Sequence, residues 1–153
     1  MDNKTEGPHK TVGIKQEGAD YYERPGCYIV PVQNGKIGLI KSKNSYCFIG
    51  GGMEKGETKD QCLTREVLEE TGCGVNPGYI FATAEQYKPD QTDIGYFHPF
   101  QYYYTGELTS KKAEPVEKDH FLRWFNPDDV PVLSIEMQQW ALELFKEKLL
   151  RSD

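Results

Sequence analysis

The sequence predicts an α+β domain in which a mixed β-sheet lies between helices, as in an α/β/α sandwich. The expected elements run in the order strands, one helix, strands, one helix, which is typical of a layered domain. The chain has 153 residues, a length that suits one domain around one core, and we find no internal repeat or linker. We therefore expect a single domain over residues 21–153, preceded by an arm, residues 1–20, that is flexible or forms an edge element.

Short apolar runs bounded by turn residues indicate the strands. Residues 27–32 form the first run, and residues 37–41 return from it after Asn34-Gly35, a dipeptide typical of a hairpin. Pro31 inside the first run predicts an edge position or a bulge. Residues 46–49 form a short apolar run that leads into three glycines, and further strands are expected as separate short pieces at residues 79–83, 85–87, 100–105 and 121–125.

Two helices are predicted from capping residues and from apolar periodicity. Thr58 followed by Gln61 matches a capping box and starts a helix over residues 58–71, which Gly72 ends. A second helix is expected over residues 134–150. Its apolar stripe consists of Ile135, Met137, Trp140, Ala141, Leu144, Phe145 and Leu149.

The composition excludes several classes of protein. The net charge of −6 disfavours non-specific binding to nucleic-acid backbones, which requires a basic face. The apolar run at residues 27–32 is far too short to cross a bilayer, and residues 1–20 resemble no secretory signal. The cysteines show no zinc-binding spacing, so we expect free thiols in a cytoplasmic protein with no membrane contact; they are Cys27, Cys47, Cys62 and Cys73.

Three carboxylates on the first predicted helix point to a metal. Glu66, Glu69 and Glu70 are spaced i, i+3 and i+4, so they fall within about a 100° arc of one helix face. Carboxylates so close repel one another and destabilise a bare helix. Hard divalent cations such as Mg²⁺, or Mn²⁺ in its place, bind such oxygen clusters well.

The residues before the helix support this interpretation. A run of three glycines, beginning at Gly50, allows a close approach of the backbone to metal and phosphate. Glu57 precedes the helix and can fold back onto Arg65, which also lies four residues before Glu69. We interpret Arg65 as the group that orients these carboxylates through forked hydrogen bonds.

Together these residues resemble the Nudix box of the MutT-like hydrolases. The pattern is Gly, five residues, Glu, seven residues, then Arg-Glu-U-x-Glu-Glu-x-Gly-U, where U is a bulky aliphatic residue. Cys73 departs from the last U, and Ile49 stands where a proline is usual. The matching positions are Gly51, Glu57, Arg65, Glu66, Val67, Glu69, Glu70 and Gly72.

The resemblance implies the Nudix fold and Mg²⁺-dependent hydrolysis of a nucleoside diphosphate linked to another group X. It implies that Glu66, Glu69 and Glu70 are metal ligands, with the Gly50 carbonyl as a further one, and that Glu57 binds through water or positions the box. The general base is either Glu69 or a carboxylate of a later loop. The candidates there are Glu114, Glu117 and Asp119, of which Glu117 is favoured.

Other residues are open to two interpretations. Lys41 ends a strand before the glycines and, with Gly51, is a candidate for phosphate contact. The tyrosines at 102–104 could stack on a nucleobase, but alternating strand residues more often pack in a core. The histidines show no ligand spacing, so structural or solvent roles are favoured for His9, His98 and His120.

The nature of X stays open. Nucleoside triphosphates, ADP-ribose and similar sugars, dinucleoside polyphosphates and 5′-capped RNA are all candidates, although the acidic charge favours a small molecule over long RNA. The alternatives to this enzyme are a non-catalytic nucleotide-binding or nucleotide-sugar-binding Nudix module and an isoprenoid diphosphate isomerase on the same fold. A homodimer is also compatible with the sequence.

Overall fold

Nine β-strands and two α-helices make up the part of the chain that the structure describes, residues 7–151 of a computed structural model. The helices are α1 (Lys59–Thr71) and α2 (Glu136–Arg151), and a 3₁₀ turn lies at Pro127–Asp129. The strands are β1 (His9–Val12), β2 (Tyr21–Gln33), β3 (Lys36–Ser42), β4 (Ser45–Cys47), β5 (Ile49–Gly52), β6 (Cys73–Gln86), β7 (Gln91–Thr92), β8 (Gly95–Lys111) and β9 (His120–Phe125).

The strands form one mixed sheet. Its main path runs β1-β6-β8-β2-β3-β4, while β5 pairs with β2, β7 with β8 and β9 with β3. Strands β1 and β6 are parallel, as are β2 and β8, and the other pairs are antiparallel. The predicted mixed sheet is therefore confirmed.

The two helices cover opposite faces of this sheet, which confirms the predicted α/β/α sandwich. Helix α1 contributes Cys62, Leu63 and Val67 to one of the two apolar clusters of the core. Helix α2 packs with the other cluster, through side chains that include Ala141 and Phe145. The apolar stripes of both helices therefore determine which of their faces meets the sheet.

Strand β2 differs from its prediction at Pro31. The strand lies inside the sheet, not at an edge. Along one of its two sides, β2 pairs first with β5, at Gly26–Ile29, and then with β3, at Val32–Gln33. Pro31 lies between these two stretches of pairing, where no backbone N–H is needed as a donor on that side. The predicted hairpin follows directly, with positive φ at both Asn34 and Gly35.

Strand β6 is one long strand, although the sequence predicts two separate pieces. Its pairing with β8 continues from Cys73 to Glu85 with register shifts, including one between Pro77 and Ile80. Bulges of this kind let the strand pass a proline without ending. The polar segment at residues 88–95 contains the short strand β7.

The N-terminal arm contributes an edge strand, β1, to the sheet. Its His9 imidazole contacts Thr83 Oγ1 at 2.7 Å and Glu85 Oε2 at 2.7 Å, while His98 contacts the other Glu85 oxygen at 2.8 Å. The two histidines thus join β1, β6 and β8. Residues 1–6 of the predicted arm and residues 152–153 lie outside the described part. Within residues 7–151, neither helix has the length and apolar character needed to cross a membrane.

Candidate active site

Helix α1 begins and ends where the sequence predicts. Thr58 is its N-cap: its side chain accepts from the Gln61 N–H at 3.1 Å, and the Gln61 side chain accepts from the Thr58 N–H at 3.0 Å. Gly72 ends the helix in the left-handed conformation, with φ 77°. These caps fix the register of the helix, and hence the direction in which its carboxylates point.

The glycine strand β5 lies between that helix and β2. Gly51 faces the helix, because a side chain there would collide with the Glu66 carboxylate. Gly50 and Gly52 face the opposite side, where side chains would collide with the Cys27 backbone and with the Arg24 guanidinium, respectively. Strand β5 therefore lies between the acidic face of α1 and the space on the other side of the sheet, and it carries no side chains at these three positions.

Arg65 connects the loop, the strand and the helix. Its Nε donates to Glu57 Oε2 at 2.6 Å and its Nη2 to Glu57 Oε1 at 2.9 Å. The same Nη2 also donates to the Gly52 carbonyl at 2.9 Å. The guanidinium lowers the pKa of Glu57 to about 2, assisted by the Glu54 N–H. The predicted contact between Glu57 and Arg65 is thus present as a forked ion pair.

The remaining nitrogen of Arg65 reaches two helix carboxylates. Nη1 donates to Glu66 Oε2 at 2.9 Å and to the two Glu69 oxygens at 3.3 and 3.4 Å. Burial raises the pKa of Glu66; Arg65 opposes this shift, and the charges of Glu69 and Glu117 add to it. Glu66 is therefore a desolvated carboxylate whose negative charge Arg65 only partly compensates.

Glu70 is the most enclosed of the three carboxylates, with 6% of its surface exposed. Its Oε1 accepts from the Gly50 N–H at 2.9 Å, and its Oε2 lies 2.9 Å from His120 Nδ1. Burial raises the pKa of Glu70, against the lowering effect of the Gly50 amide and of His120. His120 is a site residue that the sequence did not indicate, because its partner lies 50 positions away and no ligand spacing marks it.

The loop after β8 is anchored to the end of α1 by backbone hydrogen bonds. The amides of Lys112 and Ala113 donate to the Gly72 carbonyl at 2.7 and 3.1 Å. Those of Val116 and Glu117 donate to the Glu69 carbonyl at 2.8 and 3.3 Å. These contacts bring Glu117 beside the carboxylate helix.

The other carboxylates of this loop have different surroundings. Glu114 forms an ion pair with Lys111 at 3.0 Å and is almost fully exposed. The charge of Glu117, by contrast, contributes to the raised pKa of Glu66. Of the candidates for a later base, the structure therefore brings Glu117 close to the helix face.

The donor set suits a hard cation, but its oxygens do not converge. Among residues 7–151, no three acidic, histidine or cysteine side chains are grouped closely enough to hold an ion as they stand. Glu66 and Glu69 turn toward Arg65, while Glu70 turns toward Gly50 and His120. The donor chemistry nevertheless fits Mg²⁺, because carboxylate and carbonyl oxygens are its preferred ligands, and the absent side chain of Gly51 lets the Glu66 carboxylate lie directly against the backbone of β5.

Lys41 does not join this group. In the β3–β9 register, Lys41 lies opposite Phe121, and Ser42 lies opposite His120. Successive strand residues point to opposite faces, so Lys41 and the Glu70 partner His120 lie on different sides of the sheet. The phosphate contact predicted for Lys41 stays a prediction without a supporting contact in the structure.

A cleft of about 270 Å³ opens on the far side of the glycine strand. Ile135, which directly precedes helix α2, and Met137 in its first turn cover one end of it. Its lining combines cationic, amide and aromatic side chains, among them Arg24, Lys88, Gln86, Gln101, Tyr28 and Phe97. Burial, followed by the charges of Glu66 and other neighbours, raises the pKa of Tyr28, so its hydroxyl is protonated at neutral pH.

The tyrosines at 102–104 do not line this cleft. Tyr103 is fully buried and packs edge-to-face against Phe48 with ring centroids 5.2 Å apart. Tyr102 lies under the Lys59 ammonium, and the Tyr104 hydroxyl donates to Asp60 at 3.3 Å. Core and surface packing therefore accounts for all three, as the alternation of strand residues favours.

Comparison with known proteins identifies the family. The NUDIX domain family model matches residues 23–148, so the chain belongs to the Nudix family and the resemblance predicted from residues 51–73 is confirmed. Two similar proteins are named "NAD-capped RNA hydrolase NudC". One, from Stutzerimonas stutzeri, is 26% identical over 87% of this chain and 49% of its own length. The other, from Vibrio cholerae, is 34% identical over 69% of this chain and 38% of its own length.

The chain thus spans about half, or less, of the curated relatives it matches. Among solved structures, a MutT NUDIX hydrolase from Burkholderia pseudomallei aligns with a TM-score of 0.65 and 26% identity, over 80% of this chain and 97% of that one. A NUDIX hydrolase from Nitrosomonas europaea aligns with a TM-score of 0.66 at 19% identity, over 82% and 70% of the two chains. These alignments confirm the predicted Nudix fold.

Proposed function

We propose that this chain is a Mg²⁺-dependent hydrolase that cleaves the diphosphate bridge of a nucleoside diphosphate linked to another group. The proposal rests on the position of the acidic helix face relative to the cleft. Glu66, Glu69 and Glu70 lie on one side of the glycine strand, and a cleft with Arg24 and Lys88 lies on the other. A cation held on the acidic face and a diphosphate entering from the cleft would meet at β5.

The three carboxylates and the Gly50 carbonyl would hold Mg²⁺, with Mn²⁺ as a substitute. Such a cation stabilises the negative charge that develops on phosphoryl oxygens and lowers the pKa of water. Glu69 is the carboxylate most easily released to it, because its bonds to Arg65, at 3.3 and 3.4 Å, are long. Arg65 and Glu57 serve the site by fixing the helix and the glycine strand relative to each other.

A carboxylate must take the proton of the attacking water. We assign this role to Glu117, with Glu69 as the alternative. The support for Glu117 is its place beside the helix, through its N–H bond to the Glu69 carbonyl, and the effect of its charge on Glu66.

The substrate proposal is a small nucleotide derivative. Arg24 and Lys88 line the cleft and offer positive charge to phosphates, whereas the net charge of −6 opposes extended contact with nucleic acid. The names of the relatives add NAD-capped RNA to the compounds to be tested. A cytoplasmic location is part of the proposal, supported by four free cysteines, and a homodimer stays open.

A panel of nucleoside diphosphate derivatives tests the activity. Mononucleotide or phosphate release is measured for nucleoside triphosphates, ADP-ribose, nucleotide sugars, dinucleoside polyphosphates and capped RNA, with Mg²⁺ and with chelator. We expect Mg²⁺-dependent turnover of at least one class. Binding of several members without any product would instead indicate a non-catalytic nucleotide-binding module.

Substitution of the acidic face tests the residue assignments. Glu69→Gln and Glu70→Gln should each reduce turnover by orders of magnitude, because each removes a proposed ligand charge. The matched control is Glu143→Gln on α2, where the carboxylate accepts from Gln139 at 2.8 Å. This control should keep full turnover. Near-normal rates in both site variants, with intact circular dichroism, would contradict the metal assignment.

A further inference from the structure

Gln101 lies in the floor of the cleft, in line with the glycine strand. Gly26 of β2 pairs with Gly52 of β5 on one side and with Gln101 of β8 on the other. Paired residues on neighbouring strands point to the same face, so the three form one row across the floor. Only Gln101 has a side chain in this row. The neighbouring strands are ~4.8 Å apart, which separates Gln101 from Gly52 by roughly 10 Å.

A backbone amide fixes the orientation of the Gln101 carboxamide. The Phe48 N–H can only donate, and it donates to Gln138 Oε1 at 2.9 Å. Gln138 must therefore present its NH₂ group on the other side, where it meets Gln101 Oε1 at 3.0 Å. A flipped Gln101 would place two NH₂ groups against each other. The oxygen of Gln101 is thus held inward, toward α2.

The same oxygen accepts a second hydrogen bond, from the Tyr103 hydroxyl at 2.8 Å. With two donors, Gln101 Oε1 has no free lone pair. The Gln101 NH₂ group has no hydrogen-bond partner within residues 7–151, although the residue is only 7% exposed. Every deeply buried side-chain nitrogen or oxygen in that range has a partner. The NH₂ group of Gln101 therefore reaches the cleft, where the residue is part of the lining.

We propose that Gln101 is a specificity-determining residue that selects nucleobases by an oxo group in place of an amino group at purine C6 or pyrimidine C4. The proposal rests on the proposed function, since it places a nucleoside diphosphate in the cleft. The diphosphate lies at the Gly52 end beside Arg24, and the base lies over Gln101. A carboxamide whose oxygen is saturated can only donate. It pairs with the oxo group of hypoxanthine, guanine or uracil, and it opposes the amino group of adenine or cytosine.

Matched nucleotide pairs test the selection directly. Inosine and adenosine 5′-diphosphates differ at the 6-oxo and 6-amino groups, and uridine and cytidine 5′-diphosphates differ at the 4-oxo and 4-amino groups. Isothermal titration of the full chain, with Mg²⁺, should show binding about tenfold or more tighter for the oxo member of each pair, because an unpaired buried donor is costly. Equal affinities, or preference for the amino members, would overturn the proposal.

The binding readout separates this inference from the proposed function. If the panel of substrates is hydrolysed but the oxo and amino members bind equally, only the role of Gln101 is wrong. If no nucleotide binds and none is hydrolysed, both proposals are wrong.

A polarity inversion makes the test specific to Gln101. In Gln101→Glu, one carboxylate oxygen keeps the bonds from Gln138 and Tyr103, and the other presents an acceptor to the cleft. The preference should reverse, with the amino member of each pair binding more tightly. Gln86→Glu adds the same charge to the same cleft and should weaken all four nucleotides alike without changing their order. An unchanged order in Gln101→Glu would contradict the proposal.

Two further variants cover a failure of Gln101→Glu to fold. Gln101→Met removes the donor without adding charge and should bring the paired affinities to near equality. Gln138→Glu tests the positioning role of Gln138. The new carboxylate still accepts from the Phe48 N–H, but it has no proton to donate to Gln101. The Gln101 carboxamide should therefore flip and present its oxygen to the cleft. The order of affinity for the bases should then reverse, although no residue that lines the cleft is substituted. Retained oxo preference in folded samples of these variants would overturn the assignment.

Discussion

At the scale of single residues, Arg65 determines how the acidic face of helix α1 is arranged. Its planar guanidinium carries five N–H donors in a fixed fork. Here they contact Glu57 on the preceding loop, the Gly52 carbonyl on β5, and Glu66 and Glu69 on the helix. One planar group thus holds three segments in register. A lysine has the charge but not the fork, so it cannot keep these contacts together.

Arg65→Lys should therefore lower stability and turnover together. In a double-mutant cycle with Glu57→Gln, measured by urea unfolding, we expect the two substitutions to be non-additive, as for residues in one hydrogen-bonded network. Arg151→Lys, at an exposed ion pair of 3.8 Å, is the matched control and should be additive with Glu57→Gln. Additivity of Arg65→Lys and Glu57→Gln would show that the forked pair contributes nothing to the fold.

Glu57 gives the same contact a pH dependence. Its pKa is lowered from 4.5 to about 2 in the folded chain, chiefly by Arg65. A lowered carboxyl pKa means that the native state favours the ionised form, so the contribution of Glu57 is fully present above pH 4.5 and is lost as pH falls toward 2. The stability difference between the wild type and Glu57→Gln should shrink over this range in urea titrations. A constant difference would argue against the ion pair.

Local spacing was enough to predict some site residues and not others. Glu57, Arg65 and Glu69 lie close in sequence, so the helix period and the preceding loop indicate their contacts. His120 and Gln138 act across 50 and 90 positions, on Glu70 and Phe48 respectively. Such contacts depend on strand register and on the position of α2, which residue spacing does not contain.

At the scale of secondary-structure elements, both ends of helix α1 contribute to the candidate site. Its N-terminus is closed by the capping box of Thr58 and Gln61. Its C-terminus supplies the carbonyls of Glu69 and Gly72 to the loop that carries Glu117. The helix therefore carries the acidic side chains on its face and holds the later loop with its last turn. A loss of order at either end would alter the site.

Thr58→Ala tests the contribution of the N-terminal cap. It removes the acceptor for the Gln61 N–H and should lower the free energy of unfolding by ~0.5–2 kcal/mol, measured with urea. Thr64→Ala, at an exposed position inside the same helix, is the control and should be neutral or slightly stabilising, since alanine favours the helix interior. Equal effects of the two substitutions would mean that the cap does not hold the helix start.

The helices were predicted more accurately than the strands. Predicted bounds of 58–71 and 134–150 compare with Lys59–Thr71 and Glu136–Arg151. Apolar periodicity and caps are local signals, so they suffice for helices. Strand β6 continues past Pro77 because its partner β8 supplies a bulged pairing. Of the edge position or bulge predicted from Pro31, the edge position is wrong, because β2 lies inside the sheet and changes partners there. Both outcomes depend on neighbours distant in the chain.

At the scale of the whole molecule, the two helices pack on opposite faces of one sheet. The acidic residues belong to the α1 side, and the cleft belongs to the α2 side. The glycines of β5 are what bring these sides close, because side chains at Gly50, Gly51 or Gly52 would fill the space on one side or the other. This arrangement also explains why burial leaves Glu66 and Glu70 with raised pKa values.

A cation that binds this face should stabilise the entire fold. Binding to the native state alone raises stability by RT ln(1 + [L]/Kd), so millimolar Mg²⁺ should raise Tm. The increase should be lost in Glu66→Gln and kept in Glu143→Gln. Sodium chloride of equal ionic strength controls for general screening. An equal shift in Glu66→Gln and the wild type would place the cation elsewhere.

The anchoring of the late loop on Glu69 has a consequence for genetics. Glu69 holds Glu117 through its main-chain carbonyl, which every amino acid possesses. A codon change at position 69 therefore alters the acidic face while leaving the loop attachment in place. The proposed role of general base could therefore move between positions 69 and 117 through successive point mutations, with every intermediate protein still folded. The geometry would allow the identity of the proposed base to change during evolution while the scaffold stays the same.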